Sequence, residues 1–132
     1  MLSSLKIENV AVIEKAEILF GRGLNILTGE TGAGKSIVID SINAILGERT
    51  SRELIRDGAD KAKVTAFFED VPSAVLEKLK EYDIDCDGDD SLLVSRIITL
   101  DGRNSCKING HSVTVTMLKN IGRDLITICG QH

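Results

Sequence analysis

The sequence predicts an α/β fold in which an antiparallel β-subdomain lies beside the start of a mainly parallel core sheet. Three observations lead there. Two short stretches of alternating apolar and polar residues open the chain, at 2–9 (LSSLKIEN) and 12–20 (VIEKAEILF). A buried-strand pattern at 23–28 then runs into a glycine-rich loop and an apolar-periodic segment. Finally, a second hairpin pattern separates that unit from a nearly continuous apolar run at 124–129, the signature of a strand covered on both faces. The 132 residues fit one domain, on the usual prior of roughly 100–200 residues each.

Composition narrows the class. Hydrophobic residues make up 42% and charged residues 27%, and a single Pro with 12 Gly excludes linker-like or collagen-like sequence. Lys and Arg number 16 against 20 Asp and Glu, a formal net charge of −4, so any contact with nucleic acid needs a local basic patch or another chain. Cys86, Cys106 and Cys129 are widely spaced, with no CxxC pair and no His at metal-ligand distance, and read as reduced thiols. Lys6 and Glu8 interrupt the N-terminus where a signal peptide would be apolar, and no run of about 18 uncharged apolar residues occurs; a cytoplasmic protein is expected.

The elements follow in order. The first two stretches read as an antiparallel pair joined by a tight link at Val10-Ala11. Residues 36–46 read as a helix carrying Ile37, Ile39, Ile42, Ala44, Ile45 and Leu46 toward a core, with Gly47 as its stop. A polar, arginine-rich stretch at 48–60 precedes a strand at 61–69, whose Phe67 and Phe68 are both assigned to the core. Pro72 opens a helix at 73–82 with Val75, Leu76 and Leu79 on one face. A strand at 92–100, a turn at 101–104 and a returning strand at 105–109 form a second antiparallel element. A short helix at 116–121 then leads into the strand at 124–129.

Gly29-Glu30-Thr31-Gly32-Ala33-Gly34-Lys35-Ser36 matches G-x-x-x-x-G-K-[ST] at every fixed position, and it lies between an expected strand and an expected helix. The chemistry of a phosphate-binding (Walker A) loop requires those residue types. Glycines let backbone amides converge on phosphate oxygens, the helix N-terminus adds partial positive charge, Lys35 supplies a cation, and Ser36 supplies a hydroxyl for Mg2+. Many nucleotide enzymes share this loop. Gln131 would emerge at the carboxyl edge of the central sheet, where ligands bind in open α/β folds; an amide there can bind Mg2+ and position water, or simply face solvent.

Residues 5–51 (LKIENVAVIEKAEILFGRGLNILTGETGAGKSIVIDSINAILGERTS), LIRDGAD at 54–60, and 101–132 (DGRNSCKINGHSVTVTMLKNIGRDLITICGQH) resemble the N-terminal part of the RecN DNA-repair ATPases. These are relatives of the SMC proteins within the ABC ATPase superfamily. The resemblance covers nearly the whole chain, is weakest over 72–91, and is most specific at GETGAGKS and the closing GQH. It implies a P-loop NTPase of the ABC/SMC head type, with residues 1–132 as the N-terminal segment of the head. Residues 29–36 would bind ATP and Mg2+, and Gln131, in a Q-loop at 130–132, would sense metal and γ-phosphate. Base contacts would fall near Asn9 to Val12.

The resemblance also implies that a coiled coil, signature motif, Walker B carboxylates and switch histidine belong to a later part of such proteins, so that this segment alone is expected to hydrolyse ATP poorly. In the complete protein, two heads would sandwich ATP and couple its hydrolysis to DNA engagement during double-strand-break repair and recombination, near the bacterial nucleoid. Arg49, Arg52 and Arg56 would supply a DNA or inter-head contact, Arg49 foremost, against the plainer reading of solvated charges. Two alternatives stand beside this one: another SMC- or RecF-like ATPase of chromosome maintenance, and a non-catalytic, nucleotide-responsive interaction module.

Other signals are weaker. Asp83, Asp85, Asp87 and Gly88 open like a calcium-binding EF-hand loop, but position twelve is Val94 and the continuation reads as strand, which leaves a solvated acidic turn. His111 and His132 have no partners for a catalytic dyad and read as surface residues, while Cys129 is expected to be buried in its strand.

Overall fold

Alternating side chains build the first hairpin. In the computed structural model, which describes residues 1–20, 32–85 and 90–125, β1 (Leu2–Val10) pairs antiparallel with β2 (Ile13–Leu19). β1 buries Leu2, Leu5, Ile7 and Val10, a spacing that strict alternation cannot place on one face. A register shift between Leu2 and Ser4 and a left-handed Asn9 (φ 56°) turn the outer two inward. The connecting turn falls on Ala11 and Val12, one residue later than expected, with Ala11 itself at φ 52°. An alanine is strained there. Two backbone hydrogen bonds hold it, from Ala11 N to Leu54 O at 2.7 Å and from Arg56 N to Asn9 O at 2.9 Å, beside a bridge between Val10 and Ile55.

Helix α1 (Gly32–Ile45) begins at Gly32, ahead of the expected Ser36, because apolar periodicity cannot register glycines that already follow the helical path. Ile37, Val38, Ile42, Ala44, Ile45 and Leu46 are buried. Ile39 is not; it lies beside the Val38, Ile42 and Ile45 stripe and stays 40% exposed, which corrects its assignment to the core. The helix ends in a Schellman motif: Gly47 (φ 88°) donates to Ala44 O at 3.1 Å and Glu48 N to Asn43 O at 3.0 Å. Within the polar stretch that follows, Arg52–Leu54 form a 3-10 turn capped by Ser51.

β3 (Lys61–Phe68) alternates strictly. Ala62, Val64, Ala66 and Phe68 face the core, so Phe67 falls on the other face, half-buried, contrary to the expectation that both phenylalanines are core. α2 (Ser73–Glu81) follows Pro72 and buries Val75 and Leu79. β4 (Leu92–Thr99) and β5 (Asn104–Ile108) form the expected hairpin, with Asn104 already in the strand. β6 (His111–Val113) then returns along β5 through Asn109 (φ 51°) and Gly110 (φ 85°), both left-handed as a two-residue hairpin turn demands. That strand was legible in the Asn-Gly dipeptide but is too short for an alternation pattern to reveal.

The two antiparallel elements expected from the sequence are one sheet. β3 pairs with β1 on one side and β4 on the other, giving six antiparallel strands in the order β2-β1-β3-β4-β5-β6. α3 (Val115–Leu125) starts at Thr114, whose hydroxyl accepts from Met117 N at 3.0 Å, and buries Leu118, Ile121, Gly122 and Leu125. It is longer than the expected 116–121. Asp124 and Leu125 are helical, so the anticipated strand cannot begin at 124, because Leu125 completes the buried i, i+3, i+4, i+7 stripe of Leu118, Ile121 and Gly122. The expected strand at 23–28 and the remainder of the one expected at 124–129, which would start the parallel core, lie outside the described residues, as do Cys86, Cys129, His132, Asp87 and Asp89.

All three described helices contribute side chains to one core on the inner face of the sheet. α1 packs on β1, β3 and β4, while α3 packs on β5 and against α2, where Lys78 Nζ pairs with Asp124 at 2.9 Å. The turn that follows α1, Leu46 and Gly47, lies close against α3. A Cβ on Gly122 would stand 2.2 Å from Leu46 O, and one on Gly47 would stand 2.6 Å from the Lys119 backbone. Gly122→Ala gains helix propensity, worth about 1 kcal/mol. Its methyl nevertheless meets backbone that cannot yield, so the net expectation is a loss of about 1–3 kcal/mol in urea unfolding. An unchanged or raised midpoint would show that the two helices do not approach this closely.

Candidate functional site

The residues expected from the sequence to form a phosphate loop divide between described and undescribed parts of the chain. Gly29, Glu30 and Thr31 lie outside the described residues, as does Gln131 with the rest of 130–132. Gly32, Ala33 and Gly34 form the first turn of α1. Lys35 and Ser36 follow on that turn, both exposed. This end of the helix presents free backbone amides and partial positive charge. Ser36 suits Mg2+, which retains most of its waters and takes only one or two protein oxygens when phosphates supply the others. Among the described residues, no group of three or more His, Cys, Asp or Glu could hold a metal by itself.

Arg49 lies at the other end of the same helix, exposed, four residues past Ile45. α1 has 14 residues, a length of about 21 Å at the helical rise, so Arg49 and Lys35 serve opposite ends. Arg49 lines a cleft of about 410 Å3 with Ala11, Asp40, Asn43, Glu48 and Leu54. The β1–β2 turn, where the resemblance places base contacts, borders that cleft and a second one, also about 410 Å3, lined by Val12, Ile55 and Arg56. Val12 is 79% exposed. His111 is exposed on β6 and Arg52 is exposed on the 3-10 turn, as expected of surface residues.

Arg96 is not among the residues that the sequence motifs mark. It stands on the inner face of β4 between Val94 and Ile98 and is only 2% exposed. Its Nη1 donates to Ala44 O at 2.9 Å and Glu48 O at 2.6 Å, while Nε donates to Asn104 Oδ1 at 2.9 Å. Nη2 makes a longer contact to Thr50 Oγ1 at 3.4 Å. The carbonyls at the C-terminus of α1 thereby receive a cation, and the negative end of the helix dipole faces it. Burial pulls the Arg96 pKa below its ordinary value, and burial likewise pushes the Cys106 thiol up. A signal was present: an arginine at an inward position of an alternating strand has to find buried acceptors.

The fold is that of an ATPase head of the SMC type. It superposes with a TM-score of 0.74 and 23% identity on a chain from work on ATP-driven dimerization and DNA-stimulated activation of SMC ATPases, covering 95% of this chain and 79% of that one. It also superposes, with a TM-score of 0.67 and 22% identity, on the Smc head domain with an extended coiled coil from Pyrococcus furiosus, covering 93% of this chain and 32% of that one. A family model described as "AAA domain" matches residues 4–128, and the chain belongs to that family. Among curated proteins it is 44% identical to the DNA repair protein RecN of Bacillus subtilis (strain 168), across 100% of this chain and 23% of that protein. The chain thus spans about a quarter of the length of this relative.

Arg96→Met removes the donors from Ala44 O and Glu48 O, at about 1–3 kcal/mol for each carbonyl left unsatisfied. The unfolding free energy should fall by at least about 2 kcal/mol in a denaturant titration. Arg103→Met breaks an exposed pair with Asp101 and should cost less than about 0.5 kcal/mol. Equal effects of the two substitutions would remove Arg96 from its role.

Proposed function

We propose that this chain is the ATP-binding N-terminal segment of a RecN-like ATPase head, acting in DNA repair by coupling ATP binding and hydrolysis to DNA engagement. The observation that carries this reading is the match to a DNA repair protein RecN along the whole of this chain, phosphate loop included. The placement of Lys35 and Ser36 on the first turns of α1 supports it. Lys35 would neutralise β- and γ-phosphate oxygens while Gly29 to Gly34 turn backbone amides toward them. Ser36 would hold Mg2+, and Gln131 would add its amide oxygen to that metal and position the attacking water. Bound Mg2+ supplies charge neutralisation at the γ-phosphate.

Residues 1–132 form, in this reading, the phosphate-binding half of a site that a second head completes, with the Walker A loop at 29–36 and the Q-loop at 130–132. Hydrolysis then belongs to the complete protein with paired heads, as does the role in double-strand-break repair and recombination. Base contacts near Ala11 and Val12 would be backbone and aliphatic, since no aromatic residue stands in that turn. Arg49 lies too far along α1 to meet the phosphates held by its own Lys35 and would serve DNA or the second head.

Lys35→Ala should weaken ATP binding at least about tenfold, the loss of one charge-assisted contact, while the melting temperature stays unchanged. Calorimetry with ATP and Mg2+ reads it, and equal affinity in the variant would refute the phosphate-loop assignment. In the complete protein, Gln131→Ala should lower the hydrolysis rate while leaving ATP affinity near that of the unsubstituted protein. Identical ATPase rates would remove the glutamine from the reaction.

A further inference from the structure

An antiparallel sheet with one face covered is expected to turn polar residues to the other. The central strands β3 and β4 depart from this on the outer face, away from the helices. Phe67, half-buried, lies directly opposite Leu93, which is 46% exposed, and Ile97 follows Leu93 on the same side of β4. Single apolar residues on a surface are ordinary, but these adjoin one another. Among the described residues, all the helices pack into the core on the opposite side of the sheet, and none covers this strip.

Cations border the strip on both sides. At the outward positions from Lys61 to Phe67 on β3, Leu93 to Thr99 on β4 and Ser105 to Lys107 on β5, the ionisable residues are Lys61, Lys63 and Lys107, with no carboxylate. Lys63 stands opposite Ile97, and Lys107 opposite Ser95. Glu8 of β1 faces Lys63 from the far side, yet among the described residues no ion pair joins any of these lysines to a carboxylate. This local surplus stands out in a chain of net charge −4. Neighbouring strands are about 4.8 Å apart, so β3 and β5 flank β4 at a separation of about 10 Å, the diameter of a helix. Leu93 and Ile97 lie about 13 Å apart along β4, which about two and a half helical turns span.

We propose that this face docks an acidic amphipathic helix of a partner protein, with its apolar stripe on Phe67, Leu93 and Ile97 and its flanking carboxylates toward Lys61 and Lys63 on one side and Lys107 on the other. A helix fits better than an added strand, because β3, β4 and β5 are interior strands and offer no open backbone edge. Charge selects among the remaining occupants. A second copy of the same face would set these lysines against their counterparts. A phosphate backbone would satisfy the lysines but leave Leu93 and Ile97 uncovered. Apolar burial supplies affinity here, while the lysines choose the partner and fix its orientation. None of these residues belongs to the proposed nucleotide site, so this inference stands apart from that reading.

The test uses the complete protein and fluorescence anisotropy of a labelled helical peptide of about 18 residues, five turns, with leucines along one face at i, i+3, i+4, i+7 spacing and glutamates on both flanks. A second peptide carries lysine in place of every glutamate. The glutamate peptide should bind at least about tenfold more tightly than the lysine peptide. Leu93→Thr combined with Ile97→Thr, which keeps β-propensity, should weaken it at least about fivefold while melting temperature and ATP affinity stay unchanged. Lys61→Glu combined with Lys107→Glu should weaken the glutamate peptide, strengthen the lysine peptide and so remove the preference. No binding of the glutamate peptide, equal binding of the two peptides, or indifference to both pairs of substitutions overturns the proposal. Sedimentation and a labelled DNA duplex identify the rival occupants. Self-association lost in the threonine variant, in place of peptide binding, assigns the face to a second copy. Duplex binding lost in the glutamate variant alone assigns it to nucleic acid, and either result overturns the helix.

Discussion

The contact of the Arg96 guanidinium with the end of α1 is the interaction on which the rest of the structure depends. A six-stranded antiparallel sheet offers α1 an apolar face, and apolar packing alone does not fix where along that face a helix stops. Arg96 does so by geometry. Its planar donors reach Ala44 O and Glu48 O on the helix side and Asn104 on the neighbouring strand, joining α1 to β4 and β5 at one point. Burying a guanidinium is costly, and that cost is offset only while those acceptors stay in place. The helix whose first turns carry Lys35 and Ser36 is thus held from its opposite end.

Close helix packing follows from the same constraint. With α1 stopped at Gly47, α3 can approach only where neither helix carries a side chain, and Gly47 and Gly122 supply those places. Lys78 joins α2 to α3 by its pair with Asp124 and by donating to Asn120 O at 2.8 Å. Sheet, α1, α3 and α2 form a chain of supports in which each layer's position is set by the one beneath it.

Electrostatics divides the molecule by place more than by total. The overall balance is acidic, yet the surface around the end of α1 gathers Arg49, Lys119 and Arg123 over the buried Arg96. Along the outer sheet face, opposed strands carry opposite charges, as in the Lys6 to Glu17 and Glu8 to Lys63 pairings. Lys35 on the first turn of α1 and the arginines and lysine that line a cleft beyond its other end put cationic side chains at both ends of a single helix.

Much of this was written locally. The strand alternation of β3 and β4, the stop at Gly47 and the apolar stripe of α2 each arise from neighbours a few residues apart, and short-range periodicity and turn chemistry report such features. Other features depended on partners distant in sequence. Whether two hairpins stay separate or share β3, whether Phe67 or Phe68 faces inward, and whether Ile39 is covered are decided by sheet register and by which helix face meets it. The length of α3 was set by burial of Ile121 and Leu125 against other elements, which overrode the strand-like run of apolar residues at its end. Arg96 shows the division most plainly: the sequence placed a charge at an inward position of a strand, and only the tertiary structure, by bringing the end of α1 within hydrogen-bond reach, made that position habitable.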